Sequence, residues 1–429
     1  MHLFEYKDRQ LYCEEIPIAE IAEKVGTPFY LYSYNTLVRH FTAFDQAFAR
    51  FPHLVCFSAK ASSNVALIRL FANLGAGVDI VSGGELYRAL QAGADPRKVV
   101  FSGVGKKEDE IEYALRSGIL MFNVESSQEL EAVNDVAGRL GKKAPVAIRV
   151  NPDIDPKTHP YISTGLKKNK FGIDIHMAPK AYRLASRLPN LQIVGIDCHI
   201  GSQLVEVAPV VEALKKLKRL VGELRNEGME IRYLDLGGGL GITYEDEEPP
   251  QPVEYASTLL DELRGFDCTL ILEPGRVIVG NAGVLVAKVL YTKENEAKRF
   301  IIIDAGMNDL VRPSYYGSYH QILPVKKNDR EEIVADVVGP VCESTDFLAK
   351  DRKMPRLNSG EFVAVMSAGA YGFSMSTTYN SRPRVAEVLV RDDRMFVIRQ
   401  RERYEDLVRG EEIPDFLNQP PLSPLTVDG

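Results

Sequence analysis

From about residue 27, short runs of branched and aromatic residues alternate with longer segments whose apolar positions recur every three or four residues. The short runs are apolar at consecutive positions, the pattern of strands covered on both faces. Eight stand out: LVCFSAK (54–60), GVDIVS (77–82), VVFSG (99–103), LMFNVES (120–126), PVAIRVNP (145–152), IVGIDCHIGS (193–202), YLDLGGG (233–239) and TLILEPGR (269–276). Amphipathic helices separate most of them. SSNVALIRLFANLG places Leu67, Leu70, Phe71 and Leu74 on one face and stops at Gly75, and VVEALKKLKRLVGELRNEG stops likewise at Gly228. Ser126 and Glu129 form an expected capping box for the helix after the fourth strand.

Eight strand–helix units predict an α/β fold, a (β/α)8 TIM-like barrel over residues 27–280. An open doubly wound sheet is the alternative with the same rhythm. After Arg276 the pattern changes: AGVLVAKVLY, RFIIIDAG, QILPVKK, EIVADVVG, EFVAVMSAG and RVAEVLVRDDRMFVIRQ read as strands with few helices between them. They predict an antiparallel β domain over 281–429, joined by residues 1–26, where FEYKDRQLYCEE reads as a hairpin. VLVRDDRMFVIR reads as a second hairpin, and PPLSPLTVDG as a mobile tail. TGLKKNKFGI, between the fifth and sixth strands, is either an active-site loop or a solvated basic turn.

Composition narrows the partners. The 429 residues carry a net charge of -7, which argues against nucleic acid or an anionic membrane. MHLFEYKDRQ has no apolar core of a signal peptide, and no apolar run approaches the roughly 20 residues of a membrane span. The five cysteines are scattered, without the spacing of a zinc site or a disulfide framework, so a reducing cytoplasm and no metal are expected.

In a barrel, chemistry collects at the C-terminal ends of the strands. Here the first strand ends in Lys60, the sixth in His199, Gly201 and Ser202, the seventh in Gly237, Gly238 and Gly239, and the eighth in Glu273, Pro274, Gly275 and Arg276. Singly, each has a bland reading: a solvated lysine, a structural histidine, a tight turn, a local ion pair. Together, at four ends of one face, they fit an aromatic aldehyde that carries a phosphate. A lysine amine, its pKa lowered by partial desolvation, forms a Schiff base. Glycine-rich turns present backbone N–H groups to a phosphate. A carboxylate keeps a pyridine nitrogen protonated, and an imidazole lies against the ring. That set describes pyridoxal 5'-phosphate (PLP).

SAKA around Lys60, GVDIVSGGE, HIGSQ, DLGGGLG, EPGR, VCESTD and SAGAYG occur in this order in a chain that resembles the PLP-dependent decarboxylases of the alanine-racemase-like fold, from about residue 20 to about residue 415. The resemblance is nearest to members acting on diaminopimelate. It implies that Lys60 is the Schiff-base lysine and that His199 stacks on the ring. It places Ser202, Gly237, Gly238, Gly239, Gly275 and Arg276 around the phosphate, Glu273 at the pyridine nitrogen, and Asp79 and Glu85 in support of the pocket. It assigns the far end of the substrate to Arg276, Arg312, Tyr316, Glu343 and Tyr371, the last also at the cofactor, and the returning proton to Cys342 from across a homodimer interface. In RPSYYGSYH, Tyr315 stands where a smaller apolar residue is common. The implied reaction is decarboxylation of meso-2,6-diaminopimelate to L-lysine and CO2. Alternatives are a decarboxylase of ornithine, lysine or a polyamine precursor, a racemase on the same fold, or a dead relative that regulates an active partner.

Overall fold

The computed structural model describes residues 3–155 and 169–418. The PPLSPLTVDG tail and the first half of TGLKKNKFGI lie outside the described residues. All eight expected barrel strands are present: β1 (His53–Ser58), β2 (Gly77–Ile80), β3 (Val99–Phe101), β4 (Met121–Val124), β5 (Ala144–Asn151), β6 (Leu191–Asp197), β7 (Tyr233–Asp235) and β8 (Thr269–Leu272). Each pairs in parallel with the next, and β8 pairs with β1, so the sheet closes. Closure excludes the open doubly wound alternative. A short added strand, Ile173–Asp174, lies parallel to the end of β5.

The strands are apolar on both faces because each face has its own core. Phe57 points outward from β1 and packs on Phe71 of the following helix, ring centroids 4.4 Å apart. Inside the barrel, Cys56, Val100, Met121, Ala147, Val194 and Ile271 form a separate buried plug. Leu67, Leu70 and Phe71 are buried as their spacing predicts, but Leu74 is exposed, because the helix ends at Asn73 and the chain turns outward. Ser126 accepts from Glu129 N as expected, whereas the Glu129 carboxylate accepts from Glu125 N instead of completing the capping box.

The second sheet comprises β9 (Gly283–Glu294), β10 (Arg299–Ile303), β11 (Ile322–Pro324), β12 (Glu332–Val338), β13 (Phe347–Pro355), β14 (Phe362–Val365), β15 (Ala386–Arg391) and β16 (Arg394–Arg399). β15 and β16 make the expected hairpin. One central strand comes from far upstream. Phe29–Ser33, inside the stretch assigned to the barrel, pairs antiparallel with β9 and parallel with β15. Every residue of FYLYS is buried, and a strand buried along its whole length needs a neighbour on each edge and cover on both faces. Most other pairings are antiparallel, though β10 and β12 run parallel. Phe4–Lys7 and Gln10–Cys13 form the N-terminal hairpin, and a bridge from Gln10 to Lys326 ties it to this domain.

Candidate active site

The pleat of the barrel strands builds the floor of the site. Two residues beyond five of the six members of the apolar plug, the same inward face becomes polar. Cys56 is followed by Ser58, Val100 by Ser102, Met121 by Asn123, Ala147 by Arg149 and Ile271 by Glu273. Asp79 near the end of β2 and Asp235 at the end of β7 belong to the same polar layer. A register shift in β6 between Ile193 and Gly195 brings Asp197 into the layer. These groups bond one another: Ser58 Oγ donates to Asp79 Oδ2 at 2.7 Å, Ser102 Oγ to Glu273 Oε1 at 3.3 Å, and Asn123 Nδ2 to Asp235 Oδ2 at 3.0 Å. Above the layer lies a cavity of about 250 Å3, walled by Lys60, Arg149, Asp197, His199, Ser202, Glu273, Arg276, Arg312, Tyr316 and Tyr371 among others. A larger hollow of about 680 Å3 lies elsewhere, between Thr27–Pro28 and Arg401–Glu405, and among the described residues has neither a lysine nor a histidine in its wall.

Lys60 sits just past the end of β1, and its Nζ donates to Asp79 Oδ2 at 2.6 Å. The lowered amine pKa expected at the mouth is not what this arrangement gives. Burial alone would lower it, but the opposing charges of Asp79 and then Glu273 raise it above the ordinary lysine value. Lys60 is therefore an ammonium held against a carboxylate that is wholly buried.

The floor carries more carboxylates than cations. Burial, and then Asp235 and Asp79, push Glu273 well above the usual carboxylate range. Burial and Asp197 push Asp235 up to about 7. Asp79 Oδ1 and Asp197 Oδ1 are buried without a hydrogen-bond partner among the described residues. An acidic, under-satisfied floor suits a cationic ring N–H. His199, beside it, is held neutral: burial lowers its pKa, and the charges of Arg149 and Lys60 lower it further. Its Nδ1 accepts from Gly238 N at 3.2 Å, which leaves the proton on Nε2.

The rim is basic. Arg276 donates from Nη2 to Ser202 Oγ at 2.9 Å, and Arg312 from Nη2 to Ser318 Oγ at 3.2 Å. Both side chains are buried, and the Nε of each lacks a partner among the described residues. Tyr371, with a left-handed φ of 56°, is anchored by its N–H to Ala61 O, and its ring lies 4.9 Å from the Arg276 guanidinium carbon. The glycines are needed where loops cross: a Cβ on Gly238 would stand 2.1 Å from Glu273 O, and one on Gly239 2.4 Å from Gly201 O. One on Gly275 would meet Ala61 Cβ at 2.8 Å, and one on Gly237 would meet His199 Nδ1 at 2.5 Å. Glu85 accepts from Val81 N at 2.7 Å, and Val81 lines the cavity.

Two expected residues are not brought to this cavity. Cys342 and Glu343 lie exposed on the loop between β12 and β13, outside the cavity wall of their own chain. Cys342 is exposed, whereas the other four cysteines are buried. Residues missed in the sequence include Ser102, Arg149, Asp197 and Asp235. The signal was present as a polar residue two positions after an inward apolar one, at nearly every strand end.

An acidic floor, a neutral imidazole, a lysine and a basic rim in one cavity define the class: a barrel enzyme whose site fits PLP. Residues 34–280 match the family described as "Pyridoxal-dependent decarboxylase, pyridoxal binding domain". The chain is 54% identical over 415 residues to the diaminopimelate decarboxylase of Vibrio cholerae, covering 96% of this chain and 99% of that one. It is 53% identical over 405 residues to that of Aquifex aeolicus, covering 94% and 96%. A crystal structure of the M. jannaschii diaminopimelate decarboxylase in co-complex with L-lysine superposes with a TM-score of 0.92 at 40% identity, covering 97% of this chain and 100% of that one. The chain belongs to the diaminopimelate decarboxylase family.

Proposed function

We propose that this chain removes one carboxylate from meso-2,6-diaminopimelate to give L-lysine and CO2, the last step of lysine biosynthesis, with PLP as cofactor. The observation that carries the reading is the pair Arg276 and Arg312. Two buried guanidiniums, the Nε of each without a partner among the described residues, stand at the rim of the cavity that contains Lys60. A substrate with a second amino acid head supplies the distal carboxylate that such a pair binds in a fork.

Lys60 would hold the cofactor's aldehyde, Glu273 its ring nitrogen and His199 its face. Ser202, Gly237, Gly238, Gly239, Gly275, Arg276 and Tyr371 would surround its phosphate side. When bound, PLP supplies an electron sink for the charge left by the departing carboxylate. The protein's part is proton placement and orientation. Asp79 Oδ2, 2.6 Å from Lys60 Nζ, is the acceptor within reach when that amine gives up a proton. Glu273 and Asp235 together retain a proton at the floor. Neutral His199 offers a flat surface without adding charge. Tyr316, Tyr371 and the arginines fix the far end of the substrate, with Glu343 facing its ammonium.

Cys342 and Glu343 join the site in this reading from a second copy of the chain. Their exposure, away from the cavity of their own chain, supports a homodimer with shared sites. Among the described residues no helix is long and apolar enough to cross a membrane.

Substrate choice follows. Lysine and ornithine lack the distal carboxylate and leave the arginine pair unsatisfied in a buried place. Initial rates on the three compounds should show kcat/KM about a thousandfold higher for meso-diaminopimelate. Comparable rates on all three would rule out the clamp and favour a diamine-type decarboxylase.

A second expectation concerns the floor. The folded-state pKa of Glu273 lies above its ordinary value, so the folded protein keeps a proton that the unfolded chain releases. Stability then falls as pH rises from the ordinary carboxylate range toward the folded-state pKa. Glu273→Gln should raise the melting temperature of the cofactor-free protein at pH 8 by about 2 °C or more, with no gain near pH 4. The same change should lower turnover of the loaded enzyme by about a hundredfold. An unchanged pH 8 melting temperature would mean that the acidic floor stores no such strain.

A further inference from the structure

Behind the two arginines lies a residue that the cavity does not expose. Tyr244 follows DLGGGLG in the loop after β7 and is 8% exposed. Its hydroxyl accepts from Arg276 Nη1 at 2.6 Å. The centroid of its ring lies 5.8 Å from the guanidinium carbon of Arg276 and 5.3 Å from that of Arg312. Tyr244 thus touches both cations of the proposed clamp, yet it is not part of the cavity wall.

The surroundings hold this ring in place. The N–H groups of Tyr244 and Glu245 both donate to Glu247 Oε2, at 2.8 Å each, and Thr243 Oγ1 donates to Glu247 O at 2.8 Å. The turn that carries the tyrosine is therefore closed by one carboxylate. On its other side, His320 packs edge-on, with centroids 5.2 Å apart and planes at 78°. His320 is wholly buried and bonded through Nδ1 to Met366 O at 2.9 Å. Burial, and then the charge of Arg312, push its pKa down to about 3. It stays neutral and adds no third cation behind the pair.

Two guanidiniums side by side repel each other, and neither has a carboxylate salt-bridge partner among the described residues. An aromatic face attracts both, and a phenol oxygen fixes the roll of one. We propose that Tyr244 is a positioning residue that sets the spacing and aim of Arg276 and Arg312, and through them the preference for a substrate ending in a second carboxylate. This rests on the reading of the arginine pair as the distal clamp. Arg276 spends Nη1 on Tyr244 and Nη2 on Ser202, and Arg312 spends Nη2 on Ser318.

The test compares Tyr244→Phe, Tyr244→Leu and Arg312→Lys as loaded enzymes. For each, kcat and KM are measured on meso-diaminopimelate, kcat/KM on lysine, and the visible absorbance of the bound cofactor. Tyr244→Leu should raise KM for meso-diaminopimelate about tenfold or more and narrow its advantage over lysine, with kcat changed far less and the cofactor spectrum unchanged. Tyr244→Phe keeps the ring and loses only the hydroxyl, so it should fall between wild type and Tyr244→Leu. It decides the matter alone if the leucine variant does not fold. If Arg312→Lys raises KM while both tyrosine variants keep wild-type KM and selectivity, the role of Tyr244 is overturned and the clamp stands. If Arg312→Lys itself leaves KM and selectivity unchanged, the clamp fails and the role of Tyr244 fails with it. Loss of cofactor absorbance in Tyr244→Phe would also overturn the proposal, since the residue would then serve the cofactor.

Discussion

Lys60→Ala should yield a protein that binds no PLP covalently, shows no visible absorbance from a lysine-bound cofactor and turns over at least about four orders of magnitude more slowly. The expectation follows from position. Among the described residues, Lys60 contributes the sole lysine amine in the wall of the cavity, set against a carboxylate that is wholly buried. The same change has a second consequence, independent of the cofactor. Asp79 keeps Ser58 as a donor but loses its cation. Removing one partner of a buried ion pair costs about 3–5 kcal/mol. Because the Lys60 side chain is 34% exposed, water screens part of that loss. The melting temperature of cofactor-free Lys60→Ala should therefore drop, and Asp79→Asn in the same background should restore part of it. A Lys60→Ala protein that retains colour and turnover would remove the lysine from the chemistry.

Cys342→Ala should do the reverse: full colour, with turnover lower by about 10²–10⁴-fold, the usual range for a positioned proton donor. The residue is exposed and lies outside the cavity of its own chain, so its contribution requires the proposed partner copy. Its backbone N–H donates to Asn380 Oδ1 at 2.7 Å, and Asp346 bonds the neighbouring Val341 N at 2.7 Å. The loop is thus held in shape while its side chain faces outward. Mixing Cys342→Ala with Lys60→Ala makes the arrangement visible. Each variant alone is inactive, but a hybrid dimer contains one site with both wild-type residues. Random exchange at equal amounts should restore about a quarter of wild-type activity. No recovery after demonstrated subunit exchange would show that the cysteine does not act between chains.

The barrel was legible because its signal repeats: eight strands apolar on both faces, with helices between them, leave few other folds. The placement of Phe29–Ser33 was not legible. Nothing local distinguishes a buried strand of one sheet from that of another, and its partners β9 and β15 lie hundreds of residues downstream. In the site, strand-end residues such as Lys60, His199, Glu273 and Arg276 stood out because they interrupt apolar runs. Asp197, Asp235 and Arg149 lie within those runs and were absorbed into them, although the two-residue period marks Arg149 and Asp235 as inward; Asp197 depends on the register shift in β6. The state of Lys60 depends on a balance between burial and Asp79 that sequence does not reveal. The partial capping box shows the same limit at small scale, since Glu129 finds Glu125 N and the Lys106 amine closer to hand.

The central claim is that this cavity uses PLP to take CO2 from the α-carbon end of meso-diaminopimelate. The most direct measurement is CO2 release from that substrate by cofactor-stripped protein, before and after PLP is added back. The account predicts almost no release before addition, and stoichiometric production of lysine and CO2 afterwards. Release that is indifferent to PLP, or none with PLP visibly bound, would contradict it.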